Sequence, residues 1–501
     1  MFESAELGHT IDKGTFAKKA PPLREALLEA QFEFVQQKKH PIILVVGGVD
    51  GAGKGETVNV LNEWMDPRNI QTHAIGPPTD EERERPPMWR FWRELPPKGS
   101  IGIFFGSWYT LPILRRAYGE TRRAELDEAL EQIVRFERML VAEGALILKF
   151  WLHLSKAAQK KRLNALAEDP RSSWRVTKSD WKHLRLYDKF RSVSEHALRQ
   201  TSTGDAPWVI VEGSDARYRS LTVGNVLLKA MRDVLDREPA PAHDSPPASP
   251  AVGQARPVRL DPVDKLHILR QVDLTKALPK QQYQRQLASL ERKINLLSRH
   301  AKASKLGVVL VFEGNDAAGK GGAIRRITGA LDARRYRIVP IAAPTEEERA
   351  QPYLWRFWRH LPRRGRFSIF DRSWYGRVLV ERVEGFCAPE DWKRAYAEIN
   401  DFEAQLTDDR TVVIKFWLAM SPEEQLRRFK EREKTGFKRF KITVEDWRNR
   451  KKWKYYEPAV CEMIDRTSTE NAPWTLVPAE DKLYARITAL RTVCERLEAA
   501  L

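Results

Sequence analysis

Cysteine is scarce in this 501-residue chain: Cys387, Cys461 and Cys494 are the only three, all in the second half and without metal-site spacing. That scarcity argues against a disulfide framework and points to a reducing compartment. Long apolar runs are missing as well. Pro41–Gly48 is only strand length, far from the ~20 residues that span a bilayer. Met1–Lys19 is polar and holds no secretory core. The expectation is a cytoplasmic protein with no membrane partner. Acidic residues are outnumbered: 68 Asp and Glu stand against 86 Lys and Arg, a net charge of +18. The surplus reads either as a solvated basic surface or as a site for a polyanion, and composition leaves both open.

Within that composition, Val308–Gly322 stands out, an apolar β-branched run that feeds a glycine-rich turn and a lysine. A strand, a glycine loop and a helix start in that order make a phosphate cradle, because loop N–H groups and the helix dipole face an anion. Gly314 and Gly319 allow close backbone approach, and Lys320 supplies a point charge. Ile42–Gly55 repeats the pattern with Lys54 in the lysine position.

The two loops lie 266 residues apart, and the same offset carries Trp89–Arg93 onto Trp355–Arg359, Ser107–Tyr109 onto Ser373–Tyr375, Lys149–Leu152 onto Lys415–Leu418 and Ala206–Trp208 onto Ala472–Trp474. A single offset across so many blocks means a tandem duplication of a whole domain. A first domain is expected over residues 1–240 and a second over 261–501, joined by a Pro/Ala-rich linker at 241–260. In the second copy, strands are expected at Leu306–Phe312, Tyr336–Ala342, Arg366–Asp371, Thr411–Leu418 and Trp474–Val477. Helices are expected at Gln282–Lys302, Asp391–Leu406, Pro422–Lys434 and Glu445–Arg466, with another from Asp481. Alternation of this kind predicts an α/β fold, a doubly wound parallel sheet flanked by helices, with ligands at the carboxyl ends of the strands.

Both loops lack the hydroxyl residue that commonly follows the lysine; Gly55 and Gly321 stand there instead. Both contain an aspartate, Asp50 and Asp316. A carboxylate inside an anion cradle is costly without a cation beside it, so Asp316 reads as a Mg²⁺ ligand or base, against a loop-capping turn. The apolar run Phe367–Phe370 ends in Asp371-Arg372, which reads as a second metal acid with a guanidinium for phosphate oxygens, against a strand-end salt bridge between the two. The first copy has Phe105 and Gly106 at these positions, and Leu111 where the second has Arg377. It is therefore expected not to catalyse. From Leu426 to Lys454 the second copy holds 13 basic and 4 acidic residues, against 8 and 4 over Lys160–Asp188. Arg427, Arg428, Arg432, Lys438 and Arg439 are expected to form a lid over a phosphate chain. Trp355, Trp358 and Trp374 read as core or as a base-stacking platform.

The segments Gly314–Gly322, Leu354–Arg359, Phe370–Arg382, Thr467–Thr469 and Ala472–Trp474 resemble the polyphosphate kinase 2 family, and the tandem form resembles its two-domain subgroup, the polyphosphate:AMP phosphotransferases. The resemblance implies two P-loop kinase domains with a helical lid, polyphosphate as donor, AMP as acceptor and Mg²⁺ as cofactor. An ADP-directed activity making triphosphates is the alternative. Asp316, Lys320, Asp371, Arg372 and Arg432 match catalytic positions, with Asp316 and Asp371 as metal ligands. Gly314, Asn315, Ala317, Ala318, Gly319, Gly321, Gly322, Arg377, Arg427, Arg428 and Arg439 are the expected phosphate and nucleotide contacts. A further acidic metal residue is sought after the lid, where this chain has Lys454. A nucleic-acid-binding module would also explain the charge, but no recognition helix or platform for stacking a nucleic-acid single strand is visible, so no nucleic-acid partner is expected. Assembly with further copies of the chain stays open.

Overall fold

The computed structural model describes residues 1–236, 268–434 and 444–501. The expected linker over 241–260, Lys438 and Arg439 lie outside them. Two compact units emerge. One comprises Met1–Pro77, Arg90–Ala240 and Pro344–Trp355; the other comprises Pro78–Trp89, Pro241–Ala343 and Arg356–Leu501. No helix among the described residues is long and apolar enough to cross a membrane.

The first unit carries β1 (Ile42–Gly48), β2 (Ile70–Ala74), β3 (Ile101–Phe105), β4 (Leu146–His153) and β5 (Trp208–Glu212) in the order β2-β3-β1-β4-β5. The second carries β6 (Gly307–Gly314), β7 (Tyr336–Pro340), β8 (Phe367–Asp371), β9 (Thr411–Ala419) and β10 (Trp474–Pro478) in the order β7-β8-β6-β9-β10. Every pairing is parallel. Helices cover both faces of such a sheet, which is why its central strands read as nearly continuous apolar runs rather than alternating. In β6, the residues from Gly307 to Glu313 are all buried. The five strands expected for the second copy are present, displaced by at most two residues at their ends.

In each sheet the strand that ends in the glycine loop is central, with its neighbours leaving to opposite sides. That is the switch point at which open α/β sheets form a crevice. The register sets Phe312 beside Asp371, so the loop after β6 and the end of β8 meet at one sheet edge.

The expected helix Glu445–Arg466 is two helices, Val444–Lys451 and Trp453–Thr467, with Lys452 outside helical geometry between them. The first copy breaks at the matching place, between Lys178–Arg185 and Tyr187–Thr201.

Trp355, Trp358 and Trp374 are buried, so the core reading holds and the stacking platform does not. Trp374 meets Phe402 edge-on at 4.9 Å and Phe357 at 5.8 Å; Trp108 meets Phe136 at 5.2 Å and Phe91 at 5.6 Å. The repeated aromatic blocks are therefore packing elements. Beneath each sits the same buried polar network. Glu403 accepts from Trp374 Nε1 (3.0 Å), Tyr375 Oη (2.6 Å) and Lys415 Nζ (2.7 Å), and Lys415 also donates to the Thr467 carbonyl (2.6 Å). In the first unit Glu137 accepts from Trp108 (3.0 Å), Tyr109 (2.7 Å) and Lys149 (2.6 Å), and Lys149 donates to Thr201 (2.7 Å). A buried ion pair persists when its remaining donors and acceptors are satisfied. Here the pair ties the chain just beyond β8, or β3, to β9, or β4, on the other side of the central strand, and to the end of a helix.

Candidate active site

The helix Lys320–Ala330 begins at Gly319 with no side-chain cap. Its first N–H groups are therefore left facing the loop, which is what an anion requires. Gly314 is needed for space: a β-carbon there would stand 2.5 Å from the Leu418 carbonyl oxygen. Lys320 Nζ folds back to donate to the carbonyls of Gly314 (2.7 Å) and Asn315 (3.4 Å). Ala317 and Ala318 are buried in the loop wall, while Gly321 is exposed and Gly322 packs beside Arg486.

Asp316 is the centre of the site. Its carboxylate, 11% exposed, accepts from Arg372 Nη2 at 2.9 Å and from Asn449 Nδ2 at 2.9 Å. Arg372 thus bridges the end of β8 to the cradle instead of pairing with its neighbour Asp371. The Asp371 carboxylate has no hydrogen-bond or ion-pair partner among the described residues. Burial opposes the charge on Arg372, but Asp316, Glu313, Asp371 and Asp446 outweigh it and raise its pKa above the ordinary value. Glu313 is a third acid at this edge, and its motif position did not announce it. It is buried, accepts from Ser373 Oγ at 2.8 Å, and its pKa is raised chiefly by burial. The signal was in the repeat, because Gly47 occupies the matching position.

Of the expected lid residues, Arg428 lies elsewhere. It is 1% exposed and donates to Glu424 and to the carbonyls of Ala317 (3.0 Å), Ala318 (3.2 Å), Ala479 (2.6 Å) and Glu480 (2.8 Å). It braces the loop from below, with its donors spent on protein atoms. Arg427 is 62% exposed and paired with Glu424 and Glu431. Arg432 is half-buried in the last turn of the helix Pro422–Lys434. Arg377 pairs with Glu381 at 3.1 Å and Asp391 at 3.7 Å. Lys454 is exposed. The broken helix pair makes the roof: Asn449 reaches Asp316, while Arg448 (3.3 Å) and Lys452 (2.8 Å) converge on buried Glu384.

In the first copy the matching edge is closed by its own side chains. Asp50 pairs with His183 Nδ1 at 2.5 Å and with Lys54 at 3.4 Å, and Tyr118 hydrogen-bonds His183 Nε2. Burial works against the Asp50 charge, yet the His183 hydrogen bond and Lys54 carry its pKa down to about 2. Phe105 and Gly106 supply neither an acid nor a guanidinium. The arrangement at Asp316 is suited to holding a condensed phosphate between fixed donors and a hard cation; that at Asp50 keeps only the cradle.

The sequence profile of the polyphosphate kinase 2 (PPK2) family matches residues 10–239 and again 277–501. A polyphosphate:AMP phosphotransferase from Pseudomonas aeruginosa is 57% identical over 500 residues, covering 100% of this chain and 99% of its own. One from Pseudomonas syringae pv. tomato is 55% identical over 500 residues, with 100% and 99% covered. The crystal structure of a polyphosphate kinase 2 from Pseudomonas aeruginosa PA01 superposes with a TM-score of 0.88 at 55% identity, covering 100% of this chain and 99% of that one.

Proposed function

The chain belongs to the polyphosphate kinase 2 family, and from that premise we propose that it moves the terminal phosphoryl group of inorganic polyphosphate to AMP, giving ADP and a polyphosphate one unit shorter. The observation that carries this reading is the Arg372–Asp316 pair across a cradle that also holds Lys320, an arrangement present in one copy only. An AMP phosphate oxygen attacks the terminal phosphorus, the bridging P–O bond breaks, and its electrons remain on the shortened chain. The protein's work is positioning and charge neutralisation. Lys320 and Arg372 donate to the oxygens of the transferring group, Asp316 orients the attacking phosphate, and Arg432 closes from the lid.

Magnesium fits the donor set. Asp316 and Asp371 offer hard oxygens, Asp371 is free to ligate, and no group of three or more His, Cys, Asp or Glu among the described residues could hold an ion unaided. Such a partial set suits an ion that takes one or two carboxylates and fills its shell with water and substrate phosphate. When bound it neutralises charge on the transferring oxygens. Residues 261–501 carry the chemistry, and residues 1–240 scaffold it. Turnover of AMP with polyphosphate tests the reading. Asp371→Asn is expected to lower kcat about 10²–10³-fold, and full activity in that variant would end the assignment. With AMP and ADP competing as acceptors, ADP is the expected product; preferential ATP formation would replace AMP with a nucleoside diphosphate.

A further inference from the structure

At the sheet edge opposite the cradle, where β6 and β9 begin, the second unit holds an open cavity of about 660 Å³. Lys302, Lys305, Arg410 and Arg496 line it, with Glu470 as its one lining carboxylate. Lys302 pairs with the terminal carboxylate of Leu501 (2.6 Å), and Arg496 donates to the Asn471 carbonyl (2.8 Å). Lys305, Arg410 and Arg496 have no carboxylate partner among the described residues. The repeat supplies an internal control: the matching positions are Gln36, Lys39, Gly144 and Ala230, so three of the four cations belong to the second copy alone.

Arg410 carries the argument furthest. It is held at φ +61°, in the left-handed region, where the first copy has Gly144 at φ +93°. The same exchange occurs at two positions of the active edge: Ala317 (φ +67°) for Gly51 and Arg372 (φ +66°) for Gly106. Non-glycine residues are strained in this region and cluster where function requires the side chain. Arg410 and Gly144 both directly follow the C-cap of a helix, where the left-handed turn is the common exit and glycine its usual occupant, and the second copy carries an arginine there instead.

We propose that this basic cavity is a second polyphosphate site, which grips a distant stretch of the same chain whose end enters the cradle. The proposal rests on polyphosphate being the donor. Unpaired guanidinium and ammonium groups bind condensed phosphate through charge-assisted hydrogen bonds and release of its counterions. At ~3.3 Å per residue the eight residues of β6 set the two sites about 26 Å apart. A long chain spans that distance and tripolyphosphate does not, so the site favours long donors.

The test uses the full chain with Lys305→Ala, Arg410→Gly and Arg496→Ala combined. KM for a donor hundreds of phosphates long is expected to rise about tenfold, the equivalent of about 1.4 kcal/mol. KM and kcat with tripolyphosphate should stay unchanged, which also shows that the variant is folded. An unchanged ratio of long-donor to short-donor KM would overturn the site. Long-chain binding is measured separately in an Asp371→Asn background, so that a failure of the donor assignment is distinguishable. There the triple variant should bind long polyphosphate more weakly and with a shallower dependence on salt. Equal binding, or loss of RNA binding with polyphosphate binding intact, would overturn the proposal.

Discussion

Arg372 adopts φ +66°, where Gly106 in the first copy reaches φ +82° without a side chain to clash. The arginine is set where its guanidinium meets Asp316 only because the backbone bears that conformation. Arg372→Gly should therefore leave the melting temperature unchanged or raise it, while activity falls about 10³-fold or more. A calorimetric scan beside a steady-state assay separates the two effects. Glu313 argues similarly. Burial raises its folded pKa, so the stability its neutral form contributes is present below the ordinary glutamate value and is lost as pH climbs through the raised one. Glu313→Gln should flatten that slope, measured as melting temperature against pH, and stabilise the fold at neutral pH while slowing turnover. Asp316, Lys320, Asp371 and Arg372 were legible in the sequence because a glycine loop and a strand-end acid have fixed positions relative to a parallel sheet. Glu313 was not, because a lone carboxylate closing an apolar strand looks like part of the loop. Asn449 was not, because its role depends on a helix break that periodicity does not register.

Among the elements, the basic stretch from Leu426 onward shows how one composition splits into two jobs. Arg427 and Arg428 are adjacent, yet one faces solvent and the other is spent on four carbonyls and a glutamate under the loop. Charge density in sequence marks the helix but not its inner face. The helix Pro422–Lys434 was expected with those bounds and has them. What the pattern lacked was the side of the helix on which the cradle sits. Arg428→Met fills the volume but leaves the Ala317 and Ala318 carbonyls without their donor. It should destabilise the chain by about 3 kcal/mol and raise KM for polyphosphate as the loop loses its brace. Arg427→Ala, whose pairs are solvent-screened, should move stability by less than about 0.5 kcal/mol. Thermal melts of the two variants side by side check the contrast.

Across the whole molecule, one architecture is written twice, while the Arg372–Asp316 pair occurs once. The duplication was readable from a constant offset, and the strand order follows from how parallel crossovers pack. The aromatic blocks were readable as repeats but not as core, since tryptophans beside arginines look equally like a ligand platform. Underneath both copies, Glu137 and Glu403 hold the same partners at nearly the same lengths. That shared anchoring makes the earlier half a recipient for transplanted reactivity. Gly47→Glu, Phe105→Asp, Gly106→Arg and His183→Asn, introduced into a chain slowed by Asp371→Asn, should raise ADP formation above that of the Asp371→Asn variant alone. The rate should stay below that of the native centre, because a β-carbon at position 106 would stand 2.3 Å from the Ile75 carbonyl oxygen, which has to yield. The first copy is in this sense a vessel with its walls in place and several fittings exchanged, Leu111 and Leu166 among them.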